Sequence, residues 1–383
     1  MPRAPRYAFE RNYDRVGHSE VSRLSPYLRR RVLSEEEVVS RVLQEHPFSA
    51  AEKFIQEVVW RTYWKGHLAA NPSLWDAWKA SALRLEQDAH SGATWGPAYQ
   101  AAVSGQTSLA CFNDWARELC DTGYLHNHAR MWFASVWIFT LKLPWELGAL
   151  FMFRHLLDGD PASNTLSWRW VAGLHTKGKS YLAKADNIQK YSDGRWSPRE
   201  SELAAEACSV RDTPPLPKTA AAQSSVPACH SADGTILLVP PDDLSLDVTL
   251  SSFAGARAIG MLAPTLELGE SSLVQQFAAA SYQDACARME QAAKASGIAV
   301  RRITGSAELA GLLSEMPSLP VATIAPSVGP DQPWDAVVLS QAQEARSPVF
   351  QCPSRTWDTA LYPHARRGFF PFWEAAQAVL KNS

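Results

Sequence analysis

The sequence has no Cys-x-x-Cys pair. Its six cysteines, Cys111, Cys120, Cys208, Cys229, Cys286 and Cys352, are scattered, which argues against a zinc ribbon and a thioredoxin-type motif. There is no Gly-x-Gly-x-x-Gly run, so no dinucleotide fingerprint of that kind is indicated. No apolar stretch approaches the length of a membrane span. The N-terminus carries arginines but no apolar signal-peptide core, and the expected setting is a reducing, cytoplasmic one without a membrane partner. A strongly basic stripe is also missing: 37 Lys and Arg stand against 39 Asp and Glu, a formal net charge of -2, so charge alone does not announce a nucleic-acid binder. His126 and His128 are two apart, a spacing that does not face together on a helix, and no metal site is expected.

What the chain has in quantity is tryptophan. Twelve of its 15 tryptophans fall in the first 200 residues, where they can pack a core or supply stacking faces. Those 200 residues also carry 25 Lys and Arg against 21 Asp and Glu, whereas the remainder carries 12 against 18. A mildly basic half can hold phosphates of a cofactor or of a nucleic acid. Phe54, Val58, Trp60 and Trp64 recur at helical spacing, and the segments 112–143 and 145–157 carry the same period. Ser34 and Glu37 form a capping-box pattern, and Ser25-Pro26 reads as an N-cap followed by proline at the first helical position. The first half therefore reads as all-helical.

Around 205–234 the composition turns to Pro, Ala, Ser and Thr, with Pro214, Pro215, Pro217 and Pro227, which is the composition of a linker. Beyond it, short apolar runs at 235–240, 257–262, 298–303, 321–325 and 349–352 alternate with helical segments at 281–296, 306–315 and 334–346. That order predicts a parallel sheet with helices on its faces. The expected architecture is multidomain, α plus α/β: a helical domain over 1–204, a linker over 205–234 and a Rossmann-like parallel-sheet domain over 235–383.

The segment from 123 to 170, GYLHNHARMWFASVWIFTLKLPWELGALFMFRHLLDGDPASNTLSWRW, resembles the FAD-binding domain of DNA photolyases and cryptochromes. It has, in order, that family's HNxxRM helix, a Trp-rich continuation and its LLDGDxAxNxxxWxW run. AEKFIQEVVWRTYW at 51–64 is similar to the family's ELxWRExY helix, and VSRLSPYL at 21–28 to its TSRLSPYL phosphate loop, with Val21 in place of Thr. The resemblance implies an all-helical FAD-binding domain.

It also implies roles residue by residue. Tyr7, Ser22, Leu24 and Ser25, with Arg61, Arg130, Asp158, Asp160 and Asn164, would hold FAD: the serines at its pyrophosphate, Asn164 beside flavin N5, and Arg130 paired with Asp158 near the isoalloxazine ring. Hydroxyls and free N–H groups at a helix start suit an anion on physical grounds. Glu57, Trp60, Asn127, Met131 and Trp170 would line the substrate pocket, where the indoles stack on a pyrimidine dimer. Asn127, where (6-4) photolyases have histidine, favours the cyclobutane type. Trp168 would be the nearest electron-transfer residue, Trp145 the next and Trp95 the surface member, while Trp132 and Trp137 read as core. Two departures stand out: His128 replaces an arginine, and Thr107-Ser108-Leu109-Ala110 with Asn113 replaces the family's TGYP turn and its following Asp.

Photolyases begin with an α/β antenna domain, whereas this sequence opens on the FAD-type region. Segments 236–247, 293–313 and 366–376 resemble the antenna domain's first strand and turn, its helix-strand-helix and its FTPFW end, which implies a circular permutation. An antenna chromophore stays open, because the pigment-contact residues are degenerate. The function implied is blue-light-driven electron transfer from reduced FAD to cyclobutane pyrimidine dimers in DNA, the reaction of a deoxyribodipyrimidine photo-lyase. The alternatives are a cryptochrome-like photoreceptor with an unknown signalling partner and a flavin-binding relative with a structural or redox role.

Overall fold

The computed structural model describes residues 3–382 apart from 177, 212–225, 229–231, 254, 325–326, 353–354 and 367. Pro214, Pro215, Pro217, Cys229, Ala325 and Arg367, and with them most of the segment read as a linker, lie outside the described residues.

Eleven α-helices fill the first half of the described chain: α1 (Tyr7–Glu10), α2 (Ser25–Arg29), α3 (Glu35–Glu45), α4 (Phe48–Ala70), α5 (Ser73–His90), α6 (Gly96–Val103), α7 (Ala110–Thr122), α8 (Asn127–Ser135), α9 (Trp145–His155), α10 (Pro161–Val171) and α11 (Ala185–Tyr191). The capping box forms: Glu37 N donates to Ser34 Oγ at 3.2 Å, and Ser34 N donates to Glu37 Oε2 at 2.7 Å. Ser25, however, is the first residue of α2 and Leu24 is its N-cap. Pro26 therefore sits one position deeper than the dipeptide suggests, where its missing N–H is still an orphan of the first turn. The run 112–143 is broken after Thr122, because Gly123 takes a left-handed conformation, and α8 ends in a π turn over Val136–Thr140.

The second half is a five-stranded all-parallel sheet of β1 (Ile236–Val239), β2 (Ala258–Leu262), β3 (Ala299–Ile303), β4 (Val321–Thr323) and β5 (Val349–Gln351), in the order β3-β2-β1-β4-β5. That is the strand order of a doubly wound Rossmann-like sheet, as the alternation of strands and helices implied. Every residue of β1 is buried. Leu237 and Val239 pack towards α12 (Ser272–Lys294), whereas Ile236 and Leu238 pack towards α13 (Ser306–Glu315) and α14 (Pro333–Glu344). α12 begins nine residues before the periodic segment, capped by Ser271 on Val274 N.

The last two helices, α15 (Thr356–Leu361) and α16 (Phe369–Asn382), leave the sheet. Trp357, Leu361, Phe369, Phe372 and Trp373 join the hydrophobic core of the helical half. There they run along α4: Trp357 Nε1 donates to Thr62 Oγ1 at 3.0 Å, His67 Nδ1 meets the Ala365 carbonyl at 3.0 Å, and Trp373 stacks on Phe48.

Of three consecutive arginines at the end of α2, Arg29 bonds within the helical half, while Arg30 and Arg31 lock the two halves together. Arg29 Nε donates to the Gly159 carbonyl at 2.9 Å. Arg30 reaches Asp331 at 3.1 Å and the Pro241 carbonyl at 3.2 Å. Arg31 makes a two-pronged bond to Asp358 at 2.7 and 2.6 Å and contacts Glu35 and Asp243. Asp242, Asp331 and Gly329 lie past the carboxyl ends of β1 and β4, the switch point at which sheets of this order receive ligands. Here the helical half fills that point, and the residual cavity is about 10 Å³.

Candidate functional site

The helical half encloses a cavity of about 570 Å³. α4 supplies Glu57, Trp60, Arg61 and Trp64; α8 supplies Asn127, Arg130 and Met131; α10 supplies Asn164, Trp168 and Trp170; and the segment before α2 supplies Ser22, Arg23 and Leu24. Tyr7, Ser25 and Asp158 complete its wall. The spacing explains the convergence: Glu57, Trp60, Arg61 and Trp64 fall at i, i+3, i+4 and i+7, one face of a helix. Asn127 and Met131 repeat that relation on α8.

Thus the five residues assigned to a substrate pocket and eight of the nine assigned to FAD share one cavity. The ninth, Asp160, lies just behind it as the N-cap of α10, accepting from Ser163 N at 2.7 Å and lying 3.5 Å from Arg61. Trp168 lines the cavity, whereas Trp145, at the start of α9, and Trp95, at the N-cap of α6, do not.

The electrostatics are those of a cationic cavity with fixed counter-charges. Arg130 holds Asp158 at 3.0 and 2.9 Å, a two-pronged charge-assisted pair. Burial pushes the Asp158 carboxyl up, but Arg130 and Arg61 outweigh it and hold the group below its ordinary value. Arg61 Nη1 is buried without a hydrogen-bond partner, and so is the Ser163 hydroxyl. Both line or abut the cavity, and such orphaned donors are costly unless a ligand meets them. Asn164 donates to the Ala149 carbonyl at 2.8 Å, which fixes its amide against the wall.

A ligand with an anionic pyrophosphate and a planar ring system fits this set. Arg61, Arg23, Ser22 and Ser25 offer donors that could meet the phosphates, and Asn164, Trp168 and the Arg130–Asp158 pair offer a wall that could take the ring. FAD is such a ligand, and ~570 Å³ lies within the usual size of cofactor sites.

Several residues were not foreseen from the sequence. Arg11 forms an ion pair with Glu57 inside the cavity. Arg23 lies over the ring of Tyr124 at 5.2 Å. Phe369 of α16 stacks face to face on Trp60, with centroids 3.4 Å apart and planes within 5°. His128, which stands in place of the family's arginine, is buried: its Nδ1 meets the Asn12 carbonyl at 2.9 Å and its ring stacks on Trp132. Burial holds its pKa below the ordinary value, so it adds no fixed cation. Asn113 closes the altered turn by accepting from Thr107 N and donating to the Thr107 carbonyl, both at 2.8 Å.

Comparison with known proteins agrees with the cavity. Residues 54–195 match the family described as the FAD binding domain of DNA photolyase. The chain is 30% identical over 216 residues to a deoxyribodipyrimidine photo-lyase of Streptomyces griseus, a match covering 53% of this chain and 45% of that protein. It is 33% identical over 209 residues to one of Thermus thermophilus, covering 51% and 46%. The chain therefore spans about half the length of these relatives. A solved class III photolyase of Agrobacterium tumefaciens aligns at 25% identity and a TM-score of 0.42, over 50% of this chain and 40% of that one. Among the described residues, no helix is long and apolar enough to cross a membrane.

Proposed function

We propose that this chain, whose residues 54–195 match the FAD binding domain of DNA photolyase, uses blue light and reduced FAD to split cyclobutane pyrimidine dimers in DNA. One observation carries the reading: Glu57, Trp60, Asn127, Met131 and Trp170 open into the same cavity as the flavin-binding set. A base flipped out of a duplex into that cavity would lie between indoles and against the flavin wall. Reduced FAD, once bound, supplies the electron under light.

The chain's own residues bind, orient and exclude water. Arg61, Ser22 and Ser25 take the phosphates. The Arg130 guanidinium, held in place by Asp158, is a fixed cation beside the ring position, an arrangement that favours a negatively charged ring. Trp60 and Trp170 present stacking faces, and Glu57, held by Arg11, presents a carboxylate edge. We read the chain order as a permuted photolyase, with the Rossmann-like domain after the FAD domain and α15–α16 returning to the latter. DNA would be held through cavity-mouth arginines, so its binding should weaken with salt.

A photoreceptor without repair is favoured by one feature: Phe369 already occupies one face of Trp60, and a partner-responsive C-terminal helix would act there. A light-dependent repair assay decides between the two. FAD-loaded, reduced protein is mixed with a thymine-dimer oligonucleotide under blue light and in the dark. Repair only in the light, lost in Glu57→Ala, supports the lyase. Absence of repair by protein that binds and photoreduces FAD leaves the photoreceptor.

A further inference from the structure

The cavity-facing Trp168 does not end in a dead wall. Its ring meets Trp137 edge to face, with centroids 6.2 Å apart and planes at 88°. Trp137 meets Tyr99 in the same way, at 6.1 Å and 80°. Both contacts lie within the edge-to-face range of aromatic pairs, about 4.5–7 Å. Gly148 makes the first one possible: a Cβ there would lie 2.3 Å from Trp168 Cη2 and 3.0 Å from Trp137 Cδ2. Trp137 reads from the sequence as a core residue, and it is fully buried.

We propose that Trp137 and Tyr99 pass electrons to Trp168, with Glu86 taking the proton that Tyr99 loses. The inference rests on the reading of the cavity as a flavin site. Its oxidant is a light-excited oxidised flavin bound there. One electron leaves Trp168 for that flavin, Trp137 refills Trp168, and Tyr99 refills Trp137. The Tyr99 O–H bond breaks as its electron leaves, and the proton goes to the Glu86 carboxylate. The products are a neutral tyrosyl radical, a neutral carboxylic acid and one added electron on the flavin, so atoms and charge balance.

Each position suits its part. The Trp137 N–H donates to the Pro144 carbonyl at 2.9 Å. A carbonyl is a poor base, so an oxidised Trp137 keeps its proton and is refilled rather than trapped. Tyr99 is different: its hydroxyl donates to Glu86 Oε1 at 3.3 Å. Arg154 binds both oxygens of that carboxylate and holds it below its ordinary pKa, so the acceptor is ionised before the event. An oxidised phenol is a far stronger acid than the phenol and gives up its proton to such a base. Only 5% of Tyr99 is exposed, which shields the radical from solvent reductants.

Trp145 offers a poorer continuation. It makes no ring contact among the described residues, and the Arg169 guanidinium lies over its ring at 5.6 Å, where a cation opposes the loss of an electron. The relay ends at the seam between the two halves, because Arg154 also donates to the Leu268 carbonyl and accepts from Ser271 N at 2.7 Å.

The test is electron paramagnetic resonance of the full-length, FAD-loaded protein, frozen after blue illumination in the oxidised state. The wild type is expected to show a neutral tyrosyl signal. Tyr99→Phe, a change of one oxygen, and Trp137→Phe should lower it at least tenfold, and Trp145→Phe should leave it in place. Glu86→Gln should slow its appearance at least tenfold and remove its solvent-deuterium effect. A tyrosyl signal unchanged in Tyr99→Phe, or lost in Trp145→Phe but kept in Trp137→Phe, overturns the relay. Flavin absorbance on the same samples separates the two readings. Protein that binds no flavin overturns both, while bound, photoreduced flavin without a Tyr99-dependent signal overturns the relay alone.

Discussion

Buried arginines meet buried acids in two places, with opposite consequences. At the seam, Arg30 and Arg31 are consumed by Asp331, Asp358, Asp243 and Glu35, and almost no space remains, about 10 Å³ at the switch point of the sheet. In the helical cavity, Arg130 and Arg61 stand beside Asp158 and Asp160, yet they surround about 570 Å³ and leave Arg61 Nη1 without a hydrogen bond. The same side chains thus serve cohesion in one region and ligand binding in the other. A Rossmann-like sheet would draw attention to its crevice, but here the helical half has plugged it. An antenna pigment at that point would have to displace Arg29 and the loop containing Gly329.

The largest expected effect breaks the seam. Arg31→Ala leaves Glu35, Asp243 and Asp358 without their shared cation, and stripping one partner from a buried network costs about 3–5 kcal/mol. Chemical denaturation should show a loss of that order. Next is Phe369→Ala, which removes the ring on Trp60 and should cost about 3 kcal/mol, within the range for a buried aromatic. The same variant frees one face of Trp60, so a rise in affinity for dimer-containing oligonucleotide, in a filter-binding assay, would mark α16 as a cover over that face.

Arg23→Ala should behave in the opposite way to Arg31→Ala. Arg23 is exposed at the cavity, so stability should change by no more than about 0.5 kcal/mol. FAD affinity, by fluorescence titration, should fall by roughly 1.5–3 kcal/mol, the range for a charge-assisted hydrogen bond.

The smallest effect is in pH dependence. His18 lies 3.2 Å from Asp14 and 2.6 Å from Glu118. Burial opposes its charge, but these carboxylates raise its pKa from 6.5 to about 9. A group raised on folding stabilises fully below its unfolded value. That contribution, on the order of 1 kcal/mol after screening, should therefore disappear between pH 6.5 and about 9. His18→Gln should flatten urea midpoints across that interval.

The cavity was legible in the sequence because its residues sit in short, contiguous helical motifs, where i, i+3 and i+4 spacing fixes a shared face. The strands were legible because fully buried parallel strands are apolar throughout. Phe369 on Trp60, Arg11 on Glu57 and the chain from Trp168 to Tyr99 were not, because each contact joins segments far apart in sequence, and no local pattern records which ring meets which. The FFPFW segment suggested an end to the α/β domain, but its side chains find their core on α4. The start of α12 was missed because Gln275 and Gln276 interrupt its apolar period while its Ser271 cap sits upstream.

The central claim is that the cavity in the helical half takes FAD. The direct measurement is the count of FAD per chain after gel filtration of the full-length protein reconstituted with FAD, with Arg61→Ala and Arg23→Ala alongside. One FAD per chain, reduced in both variants while their far-ultraviolet circular dichroism is unchanged, is the predicted result. No FAD in the wild type, or FAD retained at full occupancy in both variants, would contradict it.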